Sequence, residues 1–326
     1  MKIIFVSNLF LLFLILSCVS DAPYDNPLDA AHGNKGVRVS GKVLTFYPPF
    51  HPVSGAQILL FPDNRIEFSD LQGNFSFGNV QPGVVEIITS APTYASDTLF
   101  VNLKTTDKDL LIHLDALPIF EQVKIRSHHL KQWFPVEDTY YLELRVQVGD
   151  PDGKGDVSRV FFSVPDLAYK DTLNATAQPG HFEKYLSQEQ LPIPNLAQII
   201  GKKFDFQAVD QPGNSAYSHD HFLPRIIEAT PQLISPVGLQ TVNGDSVVFT
   251  WQKIHLNYFF TFKIELFQIN LGVFTRVATI DGIPDTEDRF AYSTGNLLSG
   301  QYFWRVYIVD EFGDTSGSKE AAFQIP

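Results

Sequence analysis

The sequence predicts an all-β protein that consists of three β-sandwich domains in series, after a signal peptide and a flexible tether. Short runs of alternating apolar and polar residues recur along most of the chain, and they are rich in β-branched and aromatic residues, as in "YYLELRVQV" and "QYFWRVYIV". Turn-forming residues separate these runs. The one helix-like stretch, "YLSQEQLPIPNLAQIIGKK", contains Pro192 and Pro194, so we expect at most a turn or two of helix there.

Residues 1–17 have the layout of a secretory signal. Lys2 supplies a positive charge before the run "IIFVSNLFLLFLIL", and a small polar residue follows it. The run is shorter than the roughly twenty apolar residues that a helix needs to cross a bilayer. We therefore expect export of the chain and removal of this segment, rather than a retained transmembrane helix.

The end of this signal, Ile15-Leu16-Ser17-Cys18, resembles the lipobox of bacterial lipoproteins, although Leu16 is bulkier than the usual residue at its place. The resemblance implies cleavage before Cys18, a diacylglycerol on its sulfur and often an acyl chain on its amino group. Two or more acyl chains hold a protein stably at a membrane. The alternative is an ordinary secretory signal that happens to end in a cysteine. The lipoprotein interpretation predicts a location in the cell envelope, at the outer membrane of a Gram-negative bacterium.

Composition limits both the partners and the sources of stability. The chain has 36 acidic and 24 basic residues, a net charge of −12, which disfavours nucleic acid because that partner selects clustered Lys and Arg. Cys18 is the single cysteine, so disulfides cannot stabilise the domains. Residues 18–35 contain the lipidated cysteine and a segment rich in Asp, Asn, Pro and Ala. They are predicted to form a flexible tether.

In residues 36–116, the segment from Asp70 to Gly73 is a tight turn that a glycine closes, and Phe75 and Phe77 are predicted to share one buried strand face. The series also contains Val39, Gly41, Gly55, Ala56, Pro82 and Gly83 at matching places. Together these residues resemble the carboxypeptidase regulatory-like domain, which implies a transthyretin-like sandwich.

Residues 117–227 contain "YYLELRVQVGDPDGKGDVSRVFFSV" and "GKKFDFQAVDQPGNSAYS", two strand patterns that each run into an acidic turn. They resemble bacterial immunoglobulin-like modules, and the pattern assigns no strands between residues 169 and 197. In residues 228–326, "SVVFTW" predicts a buried Trp251, and Tyr302 and Trp304 are predicted to share the core face of "QYFWRVYIV". This last segment resembles a fibronectin type III module, in which Tyr302 would be the corner tyrosine anchored by its hydroxyl.

The sequence lacks the motifs of several hydrolase classes. A zinc carboxypeptidase needs a His-x-x-Glu pair and a distant histidine, and none of the nine histidines has Glu three residues later. There is no Gly-x-Ser-x-Gly elbow, and acylation of Cys18 would remove the one candidate cysteine nucleophile. We therefore predict that the protein is not an enzyme.

Asp150, Asp152 and Asp156 lie within "DPDGKGD", which places three carboxylates around two glycines. Such a stretch suits a hard, oxygen-seeking cation such as calcium, although the downstream bidentate Glu of an EF-hand is missing. The alternative is an Asp- and Gly-rich hairpin turn without an ion. Apart from this candidate structural calcium, we predict no cofactor.

Phe46, Tyr47 and Phe50 lie in "TFYPPFHPV", which combines three aromatic residues and three prolines in a predicted loop. Exposed rings on a rigid loop are typical of surfaces that bind sugars or proteins. The alternative is that these rings cover the end of the first hydrophobic core.

The function predicted from the sequence is that of a non-enzymatic, lipid-anchored envelope protein that presents its sandwiches to a protein or glycan partner. Serial sandwiches hold their end loops apart, and such loops carry recognition. The alternative is a glycan-capture or transporter-accessory surface lipoprotein of a polysaccharide utilisation system. In both cases the N-terminal lipid makes the membrane a partner, and nucleic acid is not one.

Overall fold

The computed structural model describes residues 36–134 and 136–326, and the regular secondary structure of these residues is β-strand apart from four short 3₁₀ helices, which confirms the predicted all-β fold class. The predicted signal peptide, Cys18 and the tether lie outside the described residues. The chain divides into two compact units, of which the first ends at Asp115 and the second spans Ala116–Pro326. Within the described part of the chain, no helix is long and apolar enough to cross a membrane.

The first unit is a sandwich of two sheets. One sheet has the order β4-β1-β7, with β1 and β7 parallel, and the other has the order β3-β2-β5-β6. Val39, Phe77 and Ile112 from the first sheet pack with Ile58 and Ile87 from the second in one hydrophobic cluster. The strands are β1 (Val37–Thr45), β2 (Gln57–Phe61), β3 (Arg65–Phe68), β4 (Asn74–Val80), β5 (Gly83–Ser90), β6 (Asp97–Leu103) and β7 (Lys108–Leu114).

The second unit begins with seven strands that enclose a hydrophobic cluster. Their order in the sheet is β14-β13-β10-β11-β12-β9-β8. Leu144 of β9 and Phe162 of β10 belong to the same cluster, so strands that lie apart in this order pack over one core. The strands are β8 (Ile119–Leu130), β9 (Thr139–Gly149), β10 (Val157–Val164), β11 (Tyr169–Ala175), β12 (His181–Ser187), β13 (Lys203–Asp210) and β14 (Ser215–Phe222).

The remaining strands enclose a further cluster in the same unit. A sheet of order β15-β17-β20 lies over β18, β21 and β23, and Phe249 packs against Trp304 with ring centroids 4.7 Å apart. The strands are β15 (Leu233–Ser235), β16 (Gln240–Thr241), β17 (Ser246–Trp251), β18 (Phe260–Asn270), β19 (Val273–Pro284), β20 (Arg289–Ser293), β21 (Gly300–Asp310), β22 (Thr315–Gly317) and β23 (Ala321–Ile325).

One sheet joins the two clusters of the second unit. Strand β22 pairs with β21 on one side and in parallel with β8 on the other, where Thr315, Ser316 and Gly317 lie opposite 128–130. Asp314 adds to this joint, because its Oδ1 accepts hydrogen bonds from the backbone N–H and the hydroxyl of Ser127. The two clusters therefore share a continuous backbone ladder.

Local predictions from the sequence agree with the structure at several places. Phe75 and Phe77 are buried on one face with ring centroids 6.2 Å apart, and Trp251 is buried. The Tyr302 hydroxyl donates a hydrogen bond of 2.7 Å to the carbonyl of Leu298, as a corner tyrosine does. The proline-containing stretch around Pro192 forms two short 3₁₀ turns, Gln188–Gln190 and Leu196–Ile199.

The same five-residue turn recurs at 70–74, 210–214 and 310–314. In each turn the first Asp donates its backbone N–H to the carbonyl of the fifth residue and accepts that residue's N–H on its carboxylate. Each fourth residue is a glycine with positive φ, between 78° and 104°. An L-residue rarely adopts this conformation, which explains why glycine occupies it. The turns at 210–214 and 310–314 each place a buried aspartate at the end of a strand.

Candidate functional site

A wide groove opens on the second unit beside the end of β8. Lys131, Trp133 and residues 231–233, 237–239 and 319–322 line it, and we call it the Trp133 groove. Its volume is about 1020 Å³, at the upper end of the range for small-ligand sites. Leu233, Val237 and Leu239 give the groove a largely apolar wall, while Lys131 and Lys319 supply positive charge.

Trp133 is held in one orientation although 62% of it is exposed. Its indole N–H donates a hydrogen bond of 2.8 Å to the carbonyl of Glu320, and the Lys319 amine lies 4.4 Å from its ring centroid. The backbone N–H of Lys131 bonds to the carbonyl of Gly317, which fixes the chain just before the tryptophan. A ring positioned in advance loses little entropy when a partner packs on it.

Three carboxylates meet at one end of the seven strands β8 to β14, and we call them the Asp cluster: Asp150, Asp156 and Asp210. Asp150 follows β9, Asp156 precedes β10, and Asp210 ends β13. One oxygen from each lies within 4.8 Å of the others. The register places Val157 opposite Asp210, so strand pairing itself brings the β9–β10 loop to the β13–β14 turn.

Asp210 is 1% exposed, and its two oxygens have different surroundings. Oδ1 accepts hydrogen bonds from the backbone N–H groups of Gly213 (2.7 Å) and Asn214 (2.6 Å). Oδ2 is buried and has no hydrogen-bond donor among the described residues. The turn therefore fixes the position of the Asp210 carboxylate through Oδ1, while Oδ2 is free to accept another partner.

Asp150 has the same asymmetry. Its Oδ1 accepts a hydrogen bond from the backbone N–H of Asp152, and its Oδ2 is buried without a donor in the described part of the chain. Burial, together with the charges of Asp156, Asp152 and Asp210, raises the pKa of Asp150 to about 6. Removing these carboxylates from water without a cation is unfavourable.

The structure changes the composition of the site that the sequence predicts. Asp150 and Asp156 come together, and Asp152 lies beside them, where its Oδ2 accepts a hydrogen bond of 2.8 Å from the backbone N–H of Ala116. Asp210 joins the cluster although it lies far along the sequence. The sequence signal for Asp210 is its Asp-x-x-Gly-Asn pattern, which predicts an acidic turn but does not predict contact with the turn that contains Asp150.

The predicted aromatic binding residues are accessible, but two of their rings are perpendicular to each other. Phe46 is 43% exposed, Phe50 is 50% exposed and Tyr47 is half-buried. The rings of Phe46 and Tyr47 meet at 84°, and Phe50 packs edge-on against His113. Phe46 and Tyr47 do not form a flat stacking surface.

Glu143 on β9 is a buried carboxylate with many partners. It accepts a hydrogen bond from the Tyr185 hydroxyl, and nitrogens of Arg126 and His128 each lie 3.4 Å from its Oε2. Burial would raise the pKa of Glu143, but His128, Tyr185 and Arg145 outweigh that effect and hold it at about 2. Both carboxylate oxygens of Glu143 therefore have partners, unlike those of Asp150 and Asp210.

No protein-family model and no curated protein matches the chain. Several solved structures match the chain at low identity and low TM-score. The FN1–FN3 domains of chicken CNTN1 are 10% identical, with a TM-score of 0.31, and cover 84% of this chain and 92% of theirs. BcpA, the major pilin subunit of Bacillus cereus, is 9% identical, with a TM-score of 0.29 and coverage of 89% and 95%. The fibronectin(III)-like modules of Clostridium thermocellum CbhA are 12% identical, with a TM-score of 0.28 and coverage of 64% and 92%.

Proposed function

We propose that the chain is a non-enzymatic envelope protein, tethered to the outer membrane by lipid on Cys18, that binds a protein partner through the Trp133 groove. The observation that carries the proposal is the orientation of the exposed Trp133 ring by Glu320 and Lys319. Buried aromatic anchors supply much of the binding energy at protein interfaces.

The apolar character of the surface favours a protein over a glycan. Groove residues Val237 and Leu239 are 41% and 49% exposed, and Phe134, which follows Trp133 in sequence, is 89% exposed. Exposed apolar surface of this kind is typical of sites that another protein covers. The two lysines would pair with acidic groups on that partner and orient it.

The second candidate, glycan capture in a polysaccharide utilisation system, rests on the exposed rings of Phe46 and Phe50. We rank it second because the Phe46 and Tyr47 rings are perpendicular, so a sugar ring could not stack on both. The absence of hydrolase motifs from the sequence supports a binding role over an enzymatic one.

The proposal is tested by site-specific crosslinking in cells. A benzophenone amino acid is placed at Leu239 in the groove and, as a control, at Phe100, which is 72% exposed on β6. We expect a defined protein adduct from Leu239 only, and at least a tenfold loss of that adduct in Trp133→Ala, since such anchors contribute 2 kcal/mol or more, about a thirtyfold change. An adduct that survives Trp133→Ala would contradict the proposal.

Two further measurements complete the test. Trp251 and Trp304 are buried, so a fluorescence change with soluble polysaccharide that disappears in Trp133→Ala would support a glycan partner instead.

Metabolic labelling with a fatty-acid analogue should mark the wild type and not Cys18→Ala. Label that persists in the variant would contradict the anchor.

A further inference from the structure

We propose that the Asp cluster is a calcium site, in which Asp150, Asp156 and Asp210 supply carboxylate ligands from three separate chain segments. This proposal is independent of the Trp133 groove and of the lipid anchor. It differs from the ligand set that the sequence suggested, because the group that contains both Asp150 and Asp156 includes Asp210, while Asp152 accepts a hydrogen bond from the backbone N–H of Ala116.

The first argument is the oxygen that the fold leaves without a partner. Asp210 is 1% exposed, and its Oδ2 is buried with no donor among the described residues. A buried carboxylate oxygen of this kind costs free energy unless a cation or a hydrogen bond compensates it. One oxygen of Asp210 lies within 4.8 Å of oxygens of Asp150 and Asp156.

The second argument is the charge balance around the cluster. None of the ion pairs among the described residues involves Asp150 or Asp210. The equivalent turn at 310–314 provides a contrast, because its buried Asp310 has the guanidinium of Arg225 at 3.6 Å. In the turn at 310–314 the chain supplies an internal cation for Asp310. For Asp150 and Asp210, an external cation would take that role.

The third argument is the kind of ligand and the spacing. Carboxylate oxygens without nitrogen or sulfur suit hard cations, and calcium–oxygen distances are about 2.3–2.6 Å. Two ligands on opposite sides of such an ion are therefore about 5 Å apart. The 4.8 Å limit on the oxygen separations in the cluster is compatible with one calcium shell. Water and backbone carbonyls would complete its coordination.

The position of the site gives the ion a structural role. The β9–β10 loop connects two strands that are not neighbours in the sheet order. Asp210 ends β13, the strand that pairs with β10. An ion bound by all three carboxylates would join β9, β10 and β13 at one end of this sandwich. Binding to the folded state alone stabilises that state.

The experiment uses the full chain after treatment with a chelator, with calcium chloride as the probe. We expect calorimetric titration to show binding, in the 10⁻⁴–10⁻³ M range of extracellular modules. At a hundredfold excess over Kd the unfolding midpoint should rise by about 5–10 °C. No heat of binding and an unchanged midpoint at 10 mM calcium would overturn the proposal, and an equal rise with magnesium would overturn the assignment to calcium.

The variant Asp210→Asn separates a ligand from a turn residue. An amide oxygen can still accept the hydrogen bonds from Gly213 and Asn214, so the turn is preserved. We expect this variant to unfold at a higher midpoint than the wild type in chelator, because a buried charge is removed, and to show no response to calcium. Asp70→Asn, in the matching turn of the first unit, should respond to calcium like the wild type. A full calcium response in Asp210→Asn would overturn the proposal, and the titration of the wild type decides it if that variant does not fold.

Discussion

At the scale of single residues, buried carboxylates in this protein differ in how completely their surroundings compensate their charge. Glu143 is 5% exposed and is surrounded by Arg126, His128, Arg145 and Tyr185. Asp150 and Asp210 have backbone donors on one oxygen and none on the other. Burial alone therefore does not predict the sign of a pKa shift, because the partners decide it.

Glu143→Gln should destabilise the second unit at neutral pH. The pKa of Glu143 in the folded state, about 2, lies below its ordinary value of 4.5. Its contribution to stability is thus fully present above pH 4.5 and is lost as the pH falls from there towards 2. We expect the free energy of unfolding at pH 7 to fall by up to about 3 kcal/mol, measured by urea denaturation.

The pH profile provides the control for this prediction. The wild type should lose stability between pH 4.5 and pH 2 more steeply than Glu143→Gln, whose profile should be flatter there. Glu287→Gln, at an exposed position, should follow the wild type at every pH. Parallel profiles for the wild type and Glu143→Gln would show that the network contributes nothing to the pH dependence.

At the scale of structural elements, glycines in the turns are needed for two different reasons: a positive φ angle and a lack of space for a Cβ atom. Gly55 and Gly73 belong to the same unit and have similar φ values of 72° and 78°. A Cβ atom at Gly73 would lie 2.5 Å from the carbonyl oxygen of Val43, whereas a Cβ at Gly55 would meet nothing within 4 Å. Comparing alanine substitutions at Gly55 and Gly73 therefore separates the cost of backbone strain from the cost of a steric clash.

We expect Gly55→Ala to reduce the free energy of unfolding by roughly 1–2 kcal/mol, which is the cost of a left-handed conformation for an L-residue. Gly73→Ala should reduce it by at least twice that amount, because the Val43 carbonyl must also move. Chemical denaturation of both variants checks this difference. Equal losses would mean that the β1 backbone yields at Val43 without cost.

Elements with a clear alternating pattern could be predicted from the sequence, and those without it could not. Strand β21 buries every second residue from Tyr302 to Asp310, so its core face follows from the pattern alone. Strand β11 has one buried residue, Leu173, and lies in the stretch where no strand could be assigned. Its place is set by pairing with β10, which is a tertiary constraint.

The candidate cation site was only half predictable for a related reason. Asp150 and Asp156 are close in sequence, and two glycines between them mark a turn. Asp210 becomes their neighbour only through the register between β10 and β13, which a single sequence does not specify. The Trp133 groove could not be predicted from the sequence, because its walls come from three segments that lie far apart along the chain, around residues 131–133, 231–239 and 319–322.

At the scale of the whole molecule, the second unit consists of two hydrophobic clusters on one continuous sheet. Strand β22 is three residues long, yet it pairs with β21 of one cluster and β8 of the other. Asp314, which precedes it, bonds to Ser127 on β8. A substitution that destabilises one cluster should therefore also destabilise the other.

Ile308→Ala tests this coupling in the intact protein. Ile308 is buried on β21 and lies opposite Ser316 of β22, and such a truncation costs about 2–5 kcal/mol. We expect faster hydrogen exchange in β21 and also for the amides of β9, although β9 and Ile308 belong to different hydrophobic clusters. Val277→Ala, at a partly exposed position on β19, should leave β9 unchanged. Unaltered exchange in β9 with Ile308→Ala would show that the two clusters open independently.

The parallel pairing of β8 and β22 also has a mechanical consequence. Thr315, Ser316 and Gly317 lie opposite 128–130 in the same direction along the chain. A pulling force directed along these strands would load their hydrogen bonds together in shear, whereas a force across them would break the bonds one at a time. The resistance of this joint to mechanical force thus depends on the direction of the force. A partner bound in the Trp133 groove would apply force within a few residues of the joint.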